Sequence, residues 1–238
     1  MKMVEIPFGP LHRAVMLERP NRFLLRCVLD GDGKHVEAHL ADPGRLTELL
    51  FPGAPVWLRR SSNPRRKTQW SAVLTQDSRS GCLVSVQSAL VNALVQEAFA
   101  QGALEEFTKW SLRGSEYAYA SSRWDFLLER PQGRRMLLEV KSVTLVQGGV
   151  ALFPDAVTAR GRRHLLELAA IQQAGEFETA VLFVVQRSDA LRVAPAVHID
   201  PGFAEAMEAA QAQGVRFYAR ACQVHVGGII LGPSLPVS

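Results

Sequence analysis

A change of hydrophobic period near residue 88 constrains this chain more than any other feature. Before it, apolar residues alternate in short runs: His12–Glu18, Arg22–Leu29, Lys34–Leu40, Ala54–Arg59, Gln69–Leu74 and Cys82–Val86. Clusters such as Asp30-Gly-Asp-Gly33 and Pro52-Gly53 separate them, the pattern of strands joined by tight turns. Asp42-Pro43-Gly44 predicts the start of a short helix through Leu50, with Asp42 as N-cap and Pro43 at the first position. Five or six short strands with one helix between the third and fourth predict an OB-like β-barrel over residues 1–86.

After residue 88 the period becomes helical. Val91, Leu94, Val95, Ala98, Phe99 and Phe107 recur as one apolar face. Strand patterns follow at Glu116–Ala120, Arg123–Glu129 and Met136–Val146, then a helix from Thr158 to Ala174 with Thr158 as cap and Gly175 as stop. The β-branched run Thr179–Gln186 predicts a strand buried on both faces. A helix near Phe203–Gln213 and strands near Val215–Ala219 and Gln223–Leu231 complete the chain. Residues 87–238 are therefore expected to form an α/β (α+β) domain of order αβββαβ with a mixed sheet.

Charge is distributed unevenly. Residues 1–81 hold 13 Lys and Arg against 8 Asp and Glu, whereas residues 82–238 hold 14 against 15. Arg59, Arg60, Arg65, Arg66 and Lys67 place five cations within nine residues, with no acid between them. Such a cluster, with Arg45 nearby, suits neutralisation of phosphates, so nucleic acid is the expected partner, DNA ahead of RNA. A solvated loop would read the same way. Trp57 and Trp70 flank the cluster, placed either to stack on bases or to fill the core. Cys27, Cys82 and Cys222 form no CxxC pair, which argues against a zinc ribbon or disulfide framework. The first 20 residues lack an apolar signal core and no apolar run reaches membrane-spanning length, so a cytoplasmic protein without a membrane partner is expected. A homo-oligomer is compatible with the sequence.

The chemistry concentrates in Leu137-Leu-Glu-Val-Lys-Ser-Val143. Alternate residues of a strand share a face, so Glu139 and Lys141 project together, costly in an apolar strand unless they have a task. Asp125 lies on the preceding strand pattern, and the turn between them contains Pro131 and Gly133, so a hairpin brings Asp125 beside Glu139. Two carboxylates with the Val140 backbone carbonyl make an oxygen-rich site suited to Mg²⁺ or Mn²⁺. Lys141 supplies the positive group for hydrolysis of a phosphodiester. A surface hairpin carrying a cross-strand ion pair would have the same residues, and spacing alone leaves both readings open. Glu97 on the first helix, Glu116, Arg123, Asp155, Arg160 and Gln186 are accessory candidates. Asp155 is expected to cap the Thr158 helix or line the cleft rim. Arg160, Arg162, Arg163 and His164 crowd a helix N-terminus, where cations are unfavourable unless an anion is near. His35 and His39 share a strand face without a third ligand.

Several ordered motifs carry a resemblance. Ala41-Asp-Pro-Gly-Arg-Leu-Thr-Glu-Leu-Leu50, Ser122-Arg-Trp-Asp-Phe-Leu-Leu128, Glu139-Val-Lys-Ser-Val-Thr144, Phe153-Pro-Asp-Ala-Val-Thr-Ala-Arg-Gly161 and Phe183-Val-Val-Gln-Arg-Ser-Asp189 resemble the sugar fermentation stimulation protein A family. The resemblance implies an N-terminal OB-like domain followed by a PD-(D/E)xK nuclease-like domain. It also implies DNA binding, a link to regulation of sugar metabolism, and a metal-dependent nuclease centre at Asp125, Glu139 and Lys141. A non-catalytic DNA-binding regulator that uses the nuclease fold as a scaffold is the alternative.

Overall fold

The computed structural model describes residues 3–131 and 133–238. Its first strand, β1 (Glu5–Pro7), does not join the barrel that follows it, but pairs with the last strand of the chain. The barrel is built from β2 (His12–Asn21), β3 (Leu24–Leu29), β4 (His35–Leu40), β5 (Pro55–Arg60) and β6 (Trp70–Gln76). β2, β3 and β4 form an antiparallel meander, β5 lies between β2 and β6, and a parallel pairing of β4 with β6 closes the ring. This is the OB topology, and the alternating sequence accounts for it: Ala14, Met16, Leu25, Leu40, Val56 and Leu58 point inward and are fully buried. β7 (Leu83–Ser85) pairs antiparallel with β6 on the way out of the barrel.

The helix expected over 42–50 does not form. Residues 41–50 contain only turns. Asp42 Oδ1 accepts the Gly44 N–H at 2.8 Å, a local turn that competes with helical hydrogen bonding. Leu46 has φ 49°, and its N–H goes to Asp155 Oδ2 of the second domain at 3.3 Å. Leu46, Leu49 and Leu50 instead plug the barrel core.

In the second domain α1 (Leu90–Gln101) precedes β8 (Ser111–Tyr119), β9 (Ser122–Glu129) and β10 (Arg135–Val143). A small sheet follows from β11 (Val146–Gln147) and β12 (Val150–Phe153), then α2 (Ala159–Ala174) and β13 (Glu178–Val185). β14 (Arg192–Pro195) joins that small sheet, and α3 (Pro201–Ala212), β15 (Arg216–His225) and β16 (Gly228–Leu235) finish the fold. The main sheet runs β1-β16-β15-β13-β10-β9-β8, parallel across β10, β13 and β15 and antiparallel elsewhere. The expected αβββαβ order is thus present, with the small sheet inserted before α2. β13 is apolar from Ala180 to Val185 because helices cover the sheet: α1 packs on the cluster containing Leu138 and Leu182, α2 and α3 on the one containing Leu137 and Val181. Thr158 caps α2 by accepting the Gly161 N–H at 3.0 Å, and Gly175 ends it with φ 77°.

One buried cation locks the two domains together. Arg187, 1% exposed just beyond β13, donates to Asp77 of the barrel at 2.6 Å, to Asp189 at 2.6 and 2.7 Å, and to the Thr144 carbonyl at 3.1 Å. Burial alone would raise the Asp77 carboxyl, but Arg187 overrides it and holds the group below the ordinary carboxylate range. The contribution of this pair is fully present at neutral pH and is lost as pH falls through that depressed value. Removing the guanidinium leaves the buried Asp77 and the half-buried Asp189 without their cation, so Arg187→Ala should cost about 3–5 kcal/mol in urea denaturation at neutral pH. A loss below about 1 kcal/mol would show that the domains are held by other contacts.

Candidate active site

β9 and β10 pair from Arg135 opposite Glu129 to Leu138 opposite Phe126, and their ladder stops there. Beyond that point β10 stays with β13 as far as Val143, while β9 stays with β8 as far as Ser122. The sheet therefore forks at the positions of Asp125 and Glu139. A side chain fills the gap: Asp125 Oδ2 accepts the Val140 N–H at 2.6 Å. Its other oxygen accepts Asn92 Nδ2 of α1 at 2.7 Å. Glu139, 5% exposed, uses Oε1 for both of its bonds, from Lys141 Nζ at 2.5 Å and from His164 Nδ1 at 2.8 Å. His164 is buried on α2, edge-on to Trp124 with ring centroids 5.4 Å apart.

These environments drive the two acids apart. Burial and then the Glu139 charge push the Asp125 carboxyl up to about 6, against the opposing Val140 and Asn92 bonds. Burial would also raise Glu139, but His164 and Lys141 outweigh it and hold that carboxyl below its ordinary value. Glu139 is thus an acceptor only, which places the His164 proton on Nδ1. The donor set is hard oxygen, and Asp125 sits where a second negative charge is already unfavourable, so the residues fit a divalent cation such as Mg²⁺, Mn²⁺ or Ca²⁺. Among the described residues no three His, Cys, Asp or Glu side chains gather to hold an ion alone. A cation here would draw its remaining ligands from backbone carbonyl, water and phosphate, as Mg²⁺ commonly does.

The fork opens into an interdomain cleft of about 320 Å³, lined by Arg22, Asp42 and Gly44 from the barrel and by Val140, Lys141 and Asp155 opposite them. A Cβ at Gly44 would run into the Asp155 and Asp42 carboxylates, so a side chain here would have to displace the acids that bind the Leu46 and Gly44 N–H groups. Burial pushes the Asp42 carboxyl up to about 6. Arg19 clasps the barrel wall of the cleft, donating to the carbonyls of Gly44 at 2.8 Å, Arg22 at 2.9 Å and Arg45.

Other sequence candidates divide between the cleft and the surface. Asp155 lines the rim and does not cap α2. Gln186 is fully buried beneath the site and reaches it through Ser142 Oγ at 2.8 Å. Arg160 is exposed on the first turn of α2, outside the cleft lining. Glu97 is exposed and bonded to Gln101, while Glu116 and Arg123 pair with each other at 3.7 Å on the outer strands. The structure does not bring these three to the carboxylate pair. In the basic loop Arg60, Arg65 and Lys67 are exposed. Arg59 donates to the Phe8 carbonyl at 3.4 Å and Arg66 to Ser71 Oγ at 3.0 Å. Arg45 is exposed beside Gly44. Trp57 packs against the core of the second domain and Trp70 against the barrel core. Sequence reasoning missed Asn92 and the role of His164. His164 falls on the apolar stripe with Leu165 and Leu168, the signal that it faces inward rather than joining its exposed arginine neighbours.

An OB barrel joined to a forked αβββαβ sheet, with an Asp, a Glu and a Lys at the fork, defines a two-domain protein with a carboxylate–lysine centre beside its interdomain cleft. Residues 17–86 match the family model of the SfsA N-terminal OB domain, and residues 89–228 that of the sugar fermentation stimulation protein RE domain. A sugar fermentation stimulation protein homolog of Shouchella clausii is 43% identical over 96% of this chain and 97% of its own length. One of Moorella thermoacetica is 46% identical over 93% and 94%. The chain belongs to the sugar fermentation stimulation protein family. The solved structure of Pyrococcus furiosus SfsA in complex with Ca²⁺ superposes with TM-score 0.90 at 24% identity, covering 100% of both chains, which establishes the shared fold. Among the described residues no helix is long and apolar enough to cross a membrane.

A raised carboxyl binds its proton in the folded state at pH values where the unfolded chain has released it. Stability therefore falls as pH rises toward the folded pKa of Asp125, about 6. In chelator, Asp125→Ala should gain about 1 kcal/mol relative to the wild type between pH 5 and pH 7, read by urea denaturation. A difference that stays flat or moves the other way would remove the buried-acid description of this site.

Proposed function

We propose that this protein is a DNA-binding nuclease whose centre is Asp125, Glu139 and Lys141, working with Mg²⁺ or Mn²⁺. The observation that carries the reading is the fork itself: a half-buried and a buried acid with separated pKa values, beside a lysine that lines the cleft between an OB barrel and a nuclease-like sheet. We further assign residues 1–86 to nucleic-acid binding and 87–238 to the catalytic unit, with β1 contributed to the latter's sheet. A hard cation on a relative supports the metal, since Pyrococcus furiosus SfsA was solved in complex with Ca²⁺.

The metal would be held by Asp125, Glu139 and the Val140 carbonyl, and when bound it would polarise the scissile phosphate and acidify a water. Asp125 must shed its proton to serve, so occupancy weakens below pH about 6. Asn92 and the Val140 N–H fix its carboxylate, and His164 fixes Glu139 on Oε1. Lys141, 14% exposed, is at hand to orient the attacking water and to offset the charge that develops on phosphorus. In the reaction the water oxygen forms a new bond to phosphorus, one ester P–O bond breaks, and the departing alkoxide takes up a proton. Arg22, Arg45 and the loop Arg60, Arg65 and Lys67 supply positive charge for the strand on either side.

Purified protein incubated with DNA and RNA in Mg²⁺ or Mn²⁺ should cleave, DNA ahead of RNA, and chelator should stop it. Asp125→Ala should lower the cleavage rate by at least about 100-fold while binding persists, because this carboxylate serves the metal and not the phosphate backbone. Metal-dependent turnover that survives this change would end the assignment. The family's name favours a second reading, a regulator that binds DNA without cutting it. That reading expects binding in the absence of any cleavage and a steep salt dependence, flattened when Arg60, Arg65 and Lys67 are replaced by alanine.

A further inference from the structure

Of the eleven phenylalanines, four tryptophans and three tyrosines, seventeen are buried or half-buried and one is exposed: Phe23, 49% accessible. It occupies the tip of the hairpin between β2 and β3, next to Arg22, which lines the cleft that contains Lys141. Scattered surface leucines and valines need no explanation. A lone exposed phenylalanine ring on a hydrogen-bonded turn, next in sequence to a cation that lines the cleft, does.

The tip is held in place. The Phe23 N–H donates to Asn21 Oδ1 at 2.9 Å, and its carbonyl accepts the Leu40 N–H at 3.0 Å. Arg19 binds the Arg22 carbonyl and the Gly44 carbonyl together, tying the tip to the turn that forms the barrel wall of the cleft. With both neighbours anchored, the ring's exposure is imposed by the backbone rather than being a matter of loose chain. Val157, 72% exposed, lines the same cleft from the second domain, together with Lys141 and with Val140, whose N–H binds Asp125. The tip and the basic loop after β5 are also the two loops of an OB barrel placed to hold oligonucleotides.

We propose that Phe23 is a base-stacking platform that makes the cleft selective for unpaired strands, with Arg22 on the adjoining phosphate. This rests on the nucleic-acid reading above and adds the strand type and the residue that sets it. An aromatic face recognises any unpaired base, whereas bases in a duplex are already stacked on each other. The centre would then act on single strands, or on single-stranded tails beside a duplex.

The test uses the full chain in Ca²⁺ and, separately, in chelator, with binding read by fluorescence anisotropy. The probes are a labelled oligothymidylate, an abasic strand of the same length and a duplex. Phe23→Ala should weaken oligothymidylate binding by roughly tenfold, Phe23→Tyr should restore it, and the abasic strand and duplex should bind both proteins alike. Unchanged oligothymidylate binding in Phe23→Ala overturns the proposal, as does an equal loss on the abasic strand or a failure of tyrosine to rescue. Thermal melting of Phe23→Ala separates a stacking defect from a folding defect, and an exposed ring predicts an unaltered midpoint. Phe23-dependent binding without any cleavage would support the platform while overturning the nuclease reading. Cleavage with binding indifferent to Phe23 would do the reverse.

Discussion

The arrangement depends first on the charge that Arg187 carries into the domain boundary. Its guanidinium lies at the end of the most buried strand and answers Asp77 of the barrel, Asp189 and a carbonyl. A buried cation of this kind does little for net stability compared with an apolar isostere, but it is specific about geometry. Its forked donors are satisfied only when the barrel sits in one position against the sheet. That position sets the walls of the cleft, because Gly44 and Asp42 on one side face Asp155 and Lys141 on the other. The Gly44 seam, closed by the Asp155 and Asp42 carboxylates, is the steric counterpart of the same constraint.

The site uses a second economy of the fold. Where two strands part, each leaves backbone groups without a ladder, and an unpaired buried N–H is costly. Asp125 takes the Val140 N–H, so the residue that opens the sheet also repairs it. The helices on the two faces each send one polar side chain into the fork, Asn92 from α1 and His164 from α2. The two acids are thereby given different partners and different proton affinities, the usual way for neighbouring carboxylates to divide roles.

Much of this was legible in the sequence, and the misses have physical causes. Periodicity marked the barrel strands, the three strands after α1, and α2 with both of its caps, because those segments bury one face at regular spacing. Asp125, Glu139 and Lys141 were visible as charges inside apolar strands. The helix over 42–50 was not realised because Asp42 and the second domain compete for the same backbone donors, a tertiary effect that no local pattern carries. β1, β11, β12 and β14 are two to four residues long, too short to display a period. Trp57 and Trp70 stood out as large aromatics, yet size favours burial, and the ring left outside was a phenylalanine in a turn. Glu97, Glu116 and Arg123 lie on the surface with partners of their own, since an acid or a base near a motif in sequence is cheap to place there.

The pairing of β1 with β16 gives the molecule an unusual connectivity. Because the sheet of the second domain begins at β1 and resumes only after β7, the barrel is an insertion within that sheet, tethered at both of its ends. A domain on a single linker swivels freely, whereas one on two strands that enter the same sheet is restricted to small rocking motions. During synthesis the edge formed by β1 waits for β16, so the outer edge of the sheet is completed only when the chain is nearly finished. The barrel folds from contiguous sequence, but the platform it sits on is closed by residues more than two hundred positions apart.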